Sequence, residues 1–177
     1  MNILVVGTPG TGKTTLSELL AEELGATHLN VSELVKKEGW YEGRDEKFDT
    51  FILDEDAVYE GMKELLKRAE KPCIVDFHSC DMLIEEEEDV EPWFRLIVLL
   101  RADTTVLYDR LASRSYSQSK INENIDCEIM QVVKEEIFDT FGSFIESGRT
   151  AFLELENNST DQLQKNVEEI AAAIKSL

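Results

Sequence analysis

Nine residues near the start of the chain, Gly7-Thr8-Pro9-Gly10-Thr11-Gly12-Lys13-Thr14-Thr15, have a spacing that handles phosphate. In the pattern G-x-x-x-x-G-K-[ST], backbone N–H groups surround a β-phosphate, the lysine reaches the β and γ oxygens, and the hydroxyl ligates Mg²⁺. A strand-like run, Asn2–Val6, precedes the motif and a helical pattern follows it, so a helix N-terminus is expected to face the anion. Gly10 and Gly12 let the backbone approach, Lys13 brings charge to the transferred phosphoryl, and Thr14 serves the metal. Binding of a nucleoside triphosphate is the first expectation.

A second set of groups, Asp76-Phe77-His78-Ser79-Cys80-Asp81, follows the apolar run Cys73-Ile74-Val75. Ligands of open parallel sheets lie beyond the carboxyl ends of the strands, so Asp76 is expected beside the Mg²⁺, where it would orient a metal-bound water. His78 reads equally as a chemical group or as a capping or packing residue. Asp81 reads equally as a turn residue, and His28 as structural. The third set is Arg110 and Arg114, one helical turn apart on one face. Planar guanidinium groups suit a transition state whose charge spreads over phosphate oxygens. The same spacing is common on solvated helices, and it is the polar stretch from Ser115 to Lys120 that suggests a lid closing over ATP.

These groups need elements to position them. Strand-like runs at Asn2–Val6, Thr27–Asn30, Cys73–Asp76, Arg95–Leu100 and Ala151–Glu154 alternate with helical patterns. Near-continuous apolar runs such as Leu96-Ile97-Val98-Leu99-Leu100 suit strands buried on both faces. The expected fold class is therefore α/β, a five-stranded parallel sheet flanked by helices. Helices are expected from Lys13 to Leu24 with Gly25 as the stop, from an Asp54 cap to Lys67, and after an Asp103 cap through Leu111. A long helix is expected from about Asn122 to Phe144, and a last one from Thr160 to Ile174 behind a Ser159/Gln162 capping box. The stretch from Ser115 to Lys120 is expected as an exposed loop.

The 177 residues suit one domain, and no stretch approaches the roughly 18 apolar residues of a membrane span. The apolar stretch Ile3 to Val6 is too short for a signal peptide, so none is expected. Cys73, Cys80 and Cys127 fit neither a C-x-x-C pair nor a zinc cluster, and a reduced intracellular protein is expected. A formal net charge of −19 repels a phosphate backbone and disfavours autonomous nucleic-acid binding. The same field steers basic partners in, with plain solubility as the simpler explanation. The acidic run from Glu85 to Glu91 reads as a solvated loop.

Taken in order, GTPGTGKTT, Asn30-Val31-Ser32-Glu33-Leu34, Ile52-Leu53-Asp54-Glu55-Asp56, the Asp76 to Asp81 block, Leu107-Tyr108-Asp109-Arg110-Leu111 with Arg114, and Asn124-Ile125-Asp126-Cys127-Glu128-Ile129 span most of the chain. Together they make the chain resemble the adenylate kinase isoenzyme 6 family. The resemblance implies a P-loop NTPase fold with an NMP-binding lobe over 30–53 and a short lid over 113–123. It implies ATP held by Gly10, Gly12, Lys13, Thr14, Thr15 and Arg114, an NMP site with Asn30, Lys36, Trp40 and Tyr41, and Asp76 with His78 as a Walker B-like pair tied to Mg²⁺ and hydrolysis. Catalysis would fall to Lys13, Asp76, His78, Arg110 and Arg114. It further implies AMP phosphorylation, slow ATP hydrolysis, a basic small-subunit ribosomal protein partner in late rRNA maturation, and a nuclear and cytoplasmic location. Two departures stand out: Lys36 sits where family members often carry arginine, and the acidic run resembles an insertion.

Three readings remain open at this point. The first is an ATP-dependent nucleoside monophosphate kinase, and the second an ATPase that switches an assembly partner. The third, nucleotide binding without catalysis, is weakened by the joint presence of Lys13, Thr14 and Asp76.

Overall fold

The computed structural model of the protein describes residues 1–45, 50–84, 91–175 and 177; the acidic run is outside them except for Glu91. Five parallel strands form the main sheet in the order β2 (Thr27–Asn30), β5 (Cys73–Asp76), β1 (Asn2–Val6), β6 (Phe94–Arg101), β7 (Ala151–Glu156). The central three are almost wholly buried, which is why their sequences read as continuous apolar runs.

Alternation along each strand sends side chains to two separate cores. Ile3, Val5, Ile74, Leu96 and Val98 pack with Leu16 and Leu20 of α1 (Lys13–Leu24) and with Val167 and Ile170 of α7 (Thr160–Ile174). On the opposite face, Leu4, Val6, Val75, Ile97 and Leu99 meet α2 (Val31–Glu38), α3 (Glu55–Arg68) and α6 (Val132–Glu146). At about 2 kcal/mol for each fully buried aliphatic side chain, these layers outweigh any surface ion pair as a source of stability. A third, small cluster of Leu107, Leu111 and Ile121 joins α4 (Thr104–Ser113) to α5 (Gln118–Met130).

The strands and the first, third and last helices match the sequence expectation. Asp54 caps α3 through Ala57 N at 3.0 Å, and the αL residue Gly25 ends α1. Between β2 and α3 the described residues form α2 and an antiparallel pair of β3 (Tyr41–Asp45) and β4 (Thr50–Leu53). Three points differ. The expected long helix is two helices, because Gln131 adopts φ 58° and breaks the path between α5 and α6. The segment expected as a loop turns helical at Gln118, where the Ser117 hydroxyl accepts from Lys120 N, so most of 113–123 is helical. Asp103 precedes α4 without capping it by its side chain; its N–H donates to Asn158 Oδ1 at 2.7 Å.

At the last helix, Ser159 Oγ accepts from Gln162 N while Gln162 Oε1 accepts from Asn158 N, one residue short of a reciprocal box. Among the described residues, no helix is long and apolar enough to cross a membrane.

Trp40 ties the lobe to the core. Its indole lies against Gly61 of α3, where an added Cβ would fall 2.1 Å from a ring carbon. Alanine at a helix interior gains about 1 kcal/mol over glycine, but here the clash with a rigid ring is worth about 1–3 kcal/mol of strain. Gly61→Ala is therefore expected to lower the thermal midpoint. A midpoint raised by the substitution would show that Trp40 does not need that space.

Candidate functional site

The loop from Gly7 to Gly12 leaves the carboxyl end of β1, between the neighbouring strands β5 and β6, which is the crevice where the strand order reverses. Glycine is required here for conformational reasons. Gly10 and Gly12 have φ of 97° and 100°, a Cβ on Gly10 would strike Leu107, and one on Gly12 would lie 2.4 Å from Asn157 Nδ2. Gly12 leads into α1 without a side-chain cap, and the first turn holds no acidic residue, so its backbone N–H groups face outward as an anion cradle.

Lys13 is 9% exposed and donates to the carbonyl oxygens of Gly7 at 2.6 Å and Thr8 at 3.1 Å. Burial lowers its pKa to about 8; Asp76 and Glu128 work against that shift, and the Arg114 charge adds to it. Arg110 donates to the carbonyls of Gly10 and Thr11, both at 3.3 Å, and its pKa is lowered by burial and then by Arg114. Arg114 thus repels both Lys13 and Arg110 beside one loop, an arrangement that an anion between them relieves. A cavity of about 280 Å³ opens beside the loop, lined by Gly10, Gly12, Thr15, Arg110, Arg114 and Asn157 among others.

Asp76 is 3% exposed, at the carboxyl end of β5. Thr14 Oγ1 donates to its Oδ1 at 3.2 Å, Asn30 Nδ2 donates to the same oxygen at 3.2 Å, and His28 Nε2 makes a short contact with Oδ2. A hydroxyl and a carboxylate this close are hard oxygen donors, a set that suits Mg²⁺ alongside phosphate oxygens and water. Thr14 and Asp76 are thus the residues fit to hold that ion.

The structure brings together Gly10, Gly12, Lys13, Thr14, Thr15, Asp76, Arg110 and Arg114. His78 sits apart from the Asp76 contacts, solvent-exposed on one side and with its ring beside Phe77. Desolvation by the surrounding protein and then the Lys13 charge push its pKa down to about 4, so the imidazole is neutral at pH 7.

Asn30, expected in the NMP site, donates through Nδ2 to Thr14 and Asp76, and its Oδ1 caps α2 through Glu33 N at 2.9 Å. Lys36 is exposed on α2, Trp40 is packed on α3, and Tyr41 is exposed on β3 with its ring 4.4 Å from that of Phe51. His28, read from the sequence as structural, is a direct hydrogen-bond partner of Asp76. The signal lay in strand pairing: Asn30 pairs with Asp76, so His28, two residues back, faces the same side. Asn157 was also missed; it braces the loop through Thr11 O at 2.8 Å, and nothing in its local sequence announces that.

Comparison with known proteins bears on the family and the fold. Residues 3–131 match the AAA domain family. The chain is 38% identical over 169 residues to the adenylate kinase isoenzyme 6 homolog of Caenorhabditis elegans, covering 96% of this chain and 86% of that protein. It is 39% identical over 170 residues to the homolog of Schizosaccharomyces pombe, covering 96% and 89%. The fold resembles a crystal structure of shikimate kinase from Bacteroides thetaiotaomicron, with a TM-score of 0.61, 16% identity, and coverage of 99% of this chain and 98% of that one.

The depressed Lys13 pKa has a measurable consequence. Between about 8 and the ordinary 10.5, the unfolded chain keeps a proton that the fold has released, so Lys13 makes stability rise with pH through that window. Below it, the buried charge costs on the order of 3 kcal/mol. Lys13→Met is expected to melt no lower than the parent at pH 7, to lose that advantage as pH rises from 8 to 10.5, and to lose roughly a hundredfold or more of any phosphoryl transfer. A stability difference that does not change over that pH range would refute the buried charge.

Proposed function

The chain belongs to the adenylate kinase isoenzyme 6 family, and from that premise we propose that it moves the γ-phosphoryl group of ATP to AMP, yielding two ADP. The observation that carries the proposal is the convergence of Lys13, Arg110 and Arg114 on an uncapped helix N-terminus beside a cavity. Backbone N–H groups of the loop and first turn bind the β-phosphate, and Lys13 turns from the Gly7 and Thr8 carbonyls to the phosphate oxygens. Thr15, Asn157 and Arg114 border the nucleoside side of the cavity. AMP would enter from the lobe over 30–53, with Lys36 on α2 and Tyr41 on β3 as the contacts proposed for it.

Phosphoryl transfer is chiefly positioning and charge neutralisation, and the two arginines at the end of α4 supply both while the lid over 113–123 excludes water. A bound Mg²⁺ would supply neutralisation of the charge that develops during transfer. Thr14 and Asp76 would hold it, Asp76 through water.

A second reading keeps the same cradle and makes water the acceptor, with a changed partner contact as the output. One observation favours it. Beyond Arg114 the chain has one further arginine, Arg149, and its guanidinium lies over the Phe144 ring just before β7 begins, at the end of the sheet remote from the cradle. Asp76 and the neutral His78 would then orient the attacking water. The charge of −19 suits a basic partner, and a small-subunit ribosomal protein, met in the nucleus or cytoplasm during subunit maturation, is the partner proposed.

The two readings separate on products. Purified protein with Mg-ATP is followed for ADP and inorganic phosphate independently, with and without AMP and with a basic ribosomal protein. The kinase reading expects AMP to give abundant ADP with little free phosphate. Phosphate release that ignores AMP and responds to the basic protein would overturn it in favour of the switch.

A further inference from the structure

The stretch from Asn124 to Ile129 has no part in the chemistry above, yet it holds one of the few buried carboxylates, Glu128, which is 4% exposed. Both of its oxygens are engaged. Oε2 accepts from Thr8 Oγ1 at 2.5 Å, and Oε1 accepts from Arg101 Nε in a short contact and from Ala102 N at 3.3 Å. Arg101 Nη2 returns to the Glu128 carbonyl at 2.9 Å, and Nη1 reaches Glu154 at 3.1 Å. A buried ion pair is weak evidence for stability, because apolar residues of like volume serve a core as well. What distinguishes this pair is the hydroxyl it holds.

Thr8 is buried inside the phosphate loop. Its carbonyl accepts from Thr11 N at 3.2 Å, from Thr11 Oγ1 at 2.9 Å and from Lys13 Nζ at 3.1 Å. One residue therefore carries Glu128 on its hydroxyl and the ammonium of Lys13 on its carbonyl. A hydrogen bond to a charged acceptor at this length is among the stronger ones a protein makes, and it fixes the side chain that donates it. Glu128 belongs to α5, which packs through Ile121 on Leu107 and Leu111 of α4, the helix that delivers Arg110 and Arg114. The helical pair α4–α5 thus grips the loop at two places, by Arg110 on the Gly10 and Thr11 carbonyls and by Glu128 on Thr8.

We infer that Glu128 is a positioning residue: through the Thr8 hydroxyl it fixes the peptide that aims Lys13, and so makes phosphoryl transfer depend on where α5 lies. Glu128 touches neither nucleotide nor reacting atoms. The rate readout rests on the kinase reading, and a spectroscopic readout does not.

Thr8→Val removes the hydroxyl with little change of shape, Thr8→Ser keeps it, and Glu128→Gln keeps an acceptor without the charge. Each variant is checked for folding by thermal melting. Thr8→Val is expected to lower kcat about tenfold or more while ATP affinity, read by calorimetry, changes less than about threefold. Thr8→Ser is expected to restore kcat to within about threefold, and Thr8→Val to add little to Glu128→Gln, since both cut one link. In the unliganded protein, the Lys13 Cε resonance is expected to shift in Thr8→Val and return in Thr8→Ser. A folded Thr8→Val with parental kcat and an unmoved Lys13 resonance overturns the inference, as do losses that multiply in the double variant. If the parent makes no ADP from AMP, the kinase reading fails and the Lys13 resonance alone decides the role of Glu128.

Discussion

Lys13 must stay charged where water scarcely reaches, and much of the carboxyl end of the sheet follows from that requirement. The loop bends so that two of its own carbonyls solvate the ammonium, which requires backbone turns that residues with a Cβ rarely adopt. Those turns have to be braced from outside, since a loop of glycine and threonine does not hold such a shape alone. Asn157 supports it from the β7–α7 connection, Arg110 from α4 and Thr8 through Glu128 from α5. Two carboxylates, Asp76 and Glu128, lie near enough to offset part of the penalty of burial without pairing with the lysine directly.

The acidity of the chain and the basicity of its site belong to one design. With 37 acidic and 18 basic side chains, a phosphate approaching at random meets repulsion. The cradle overcomes it locally by placing three cations and a helix N-terminus at one spot, with the main counter-charges, Asp76 and Glu128, nearly buried. Arg101, a fourth cation at this end of the sheet, is withdrawn from that spot by Glu128 and Glu154. Charge is thus sorted by position within an overall acidic field.

Much of this could be read from residues alone. β1, β5 and β6 are buried on both faces, so their apolar runs were unambiguous, and the cradle motif specifies its own neighbours. The edge strand β2 was legible in position but not in chemistry, because His28 and Asn30 acquire their meaning only when β5 is laid beside them. The strands of the lobe were hidden for a different reason: β3 and β4 pair only with each other and stay largely exposed, so they carry no buried alternation. The break at Gln131 was invisible because glutamine does not announce a left-handed backbone, and the apolar periodicity runs straight through it. Long-range supports such as Glu128 to Thr8, 120 residues apart, leave no trace in local pattern.

Asn30 ends β2, caps α2 and bonds both Thr14 and Asp76. The lobe is therefore joined to the sheet at the very residue that bonds the Thr14–Asp76 pair. Because Val31 and Val35 of α2 and the Trp40 ring also pack into the core, the lobe and that pair share one anchored segment, and the seating of β2 beside β5 sets the position of both at once.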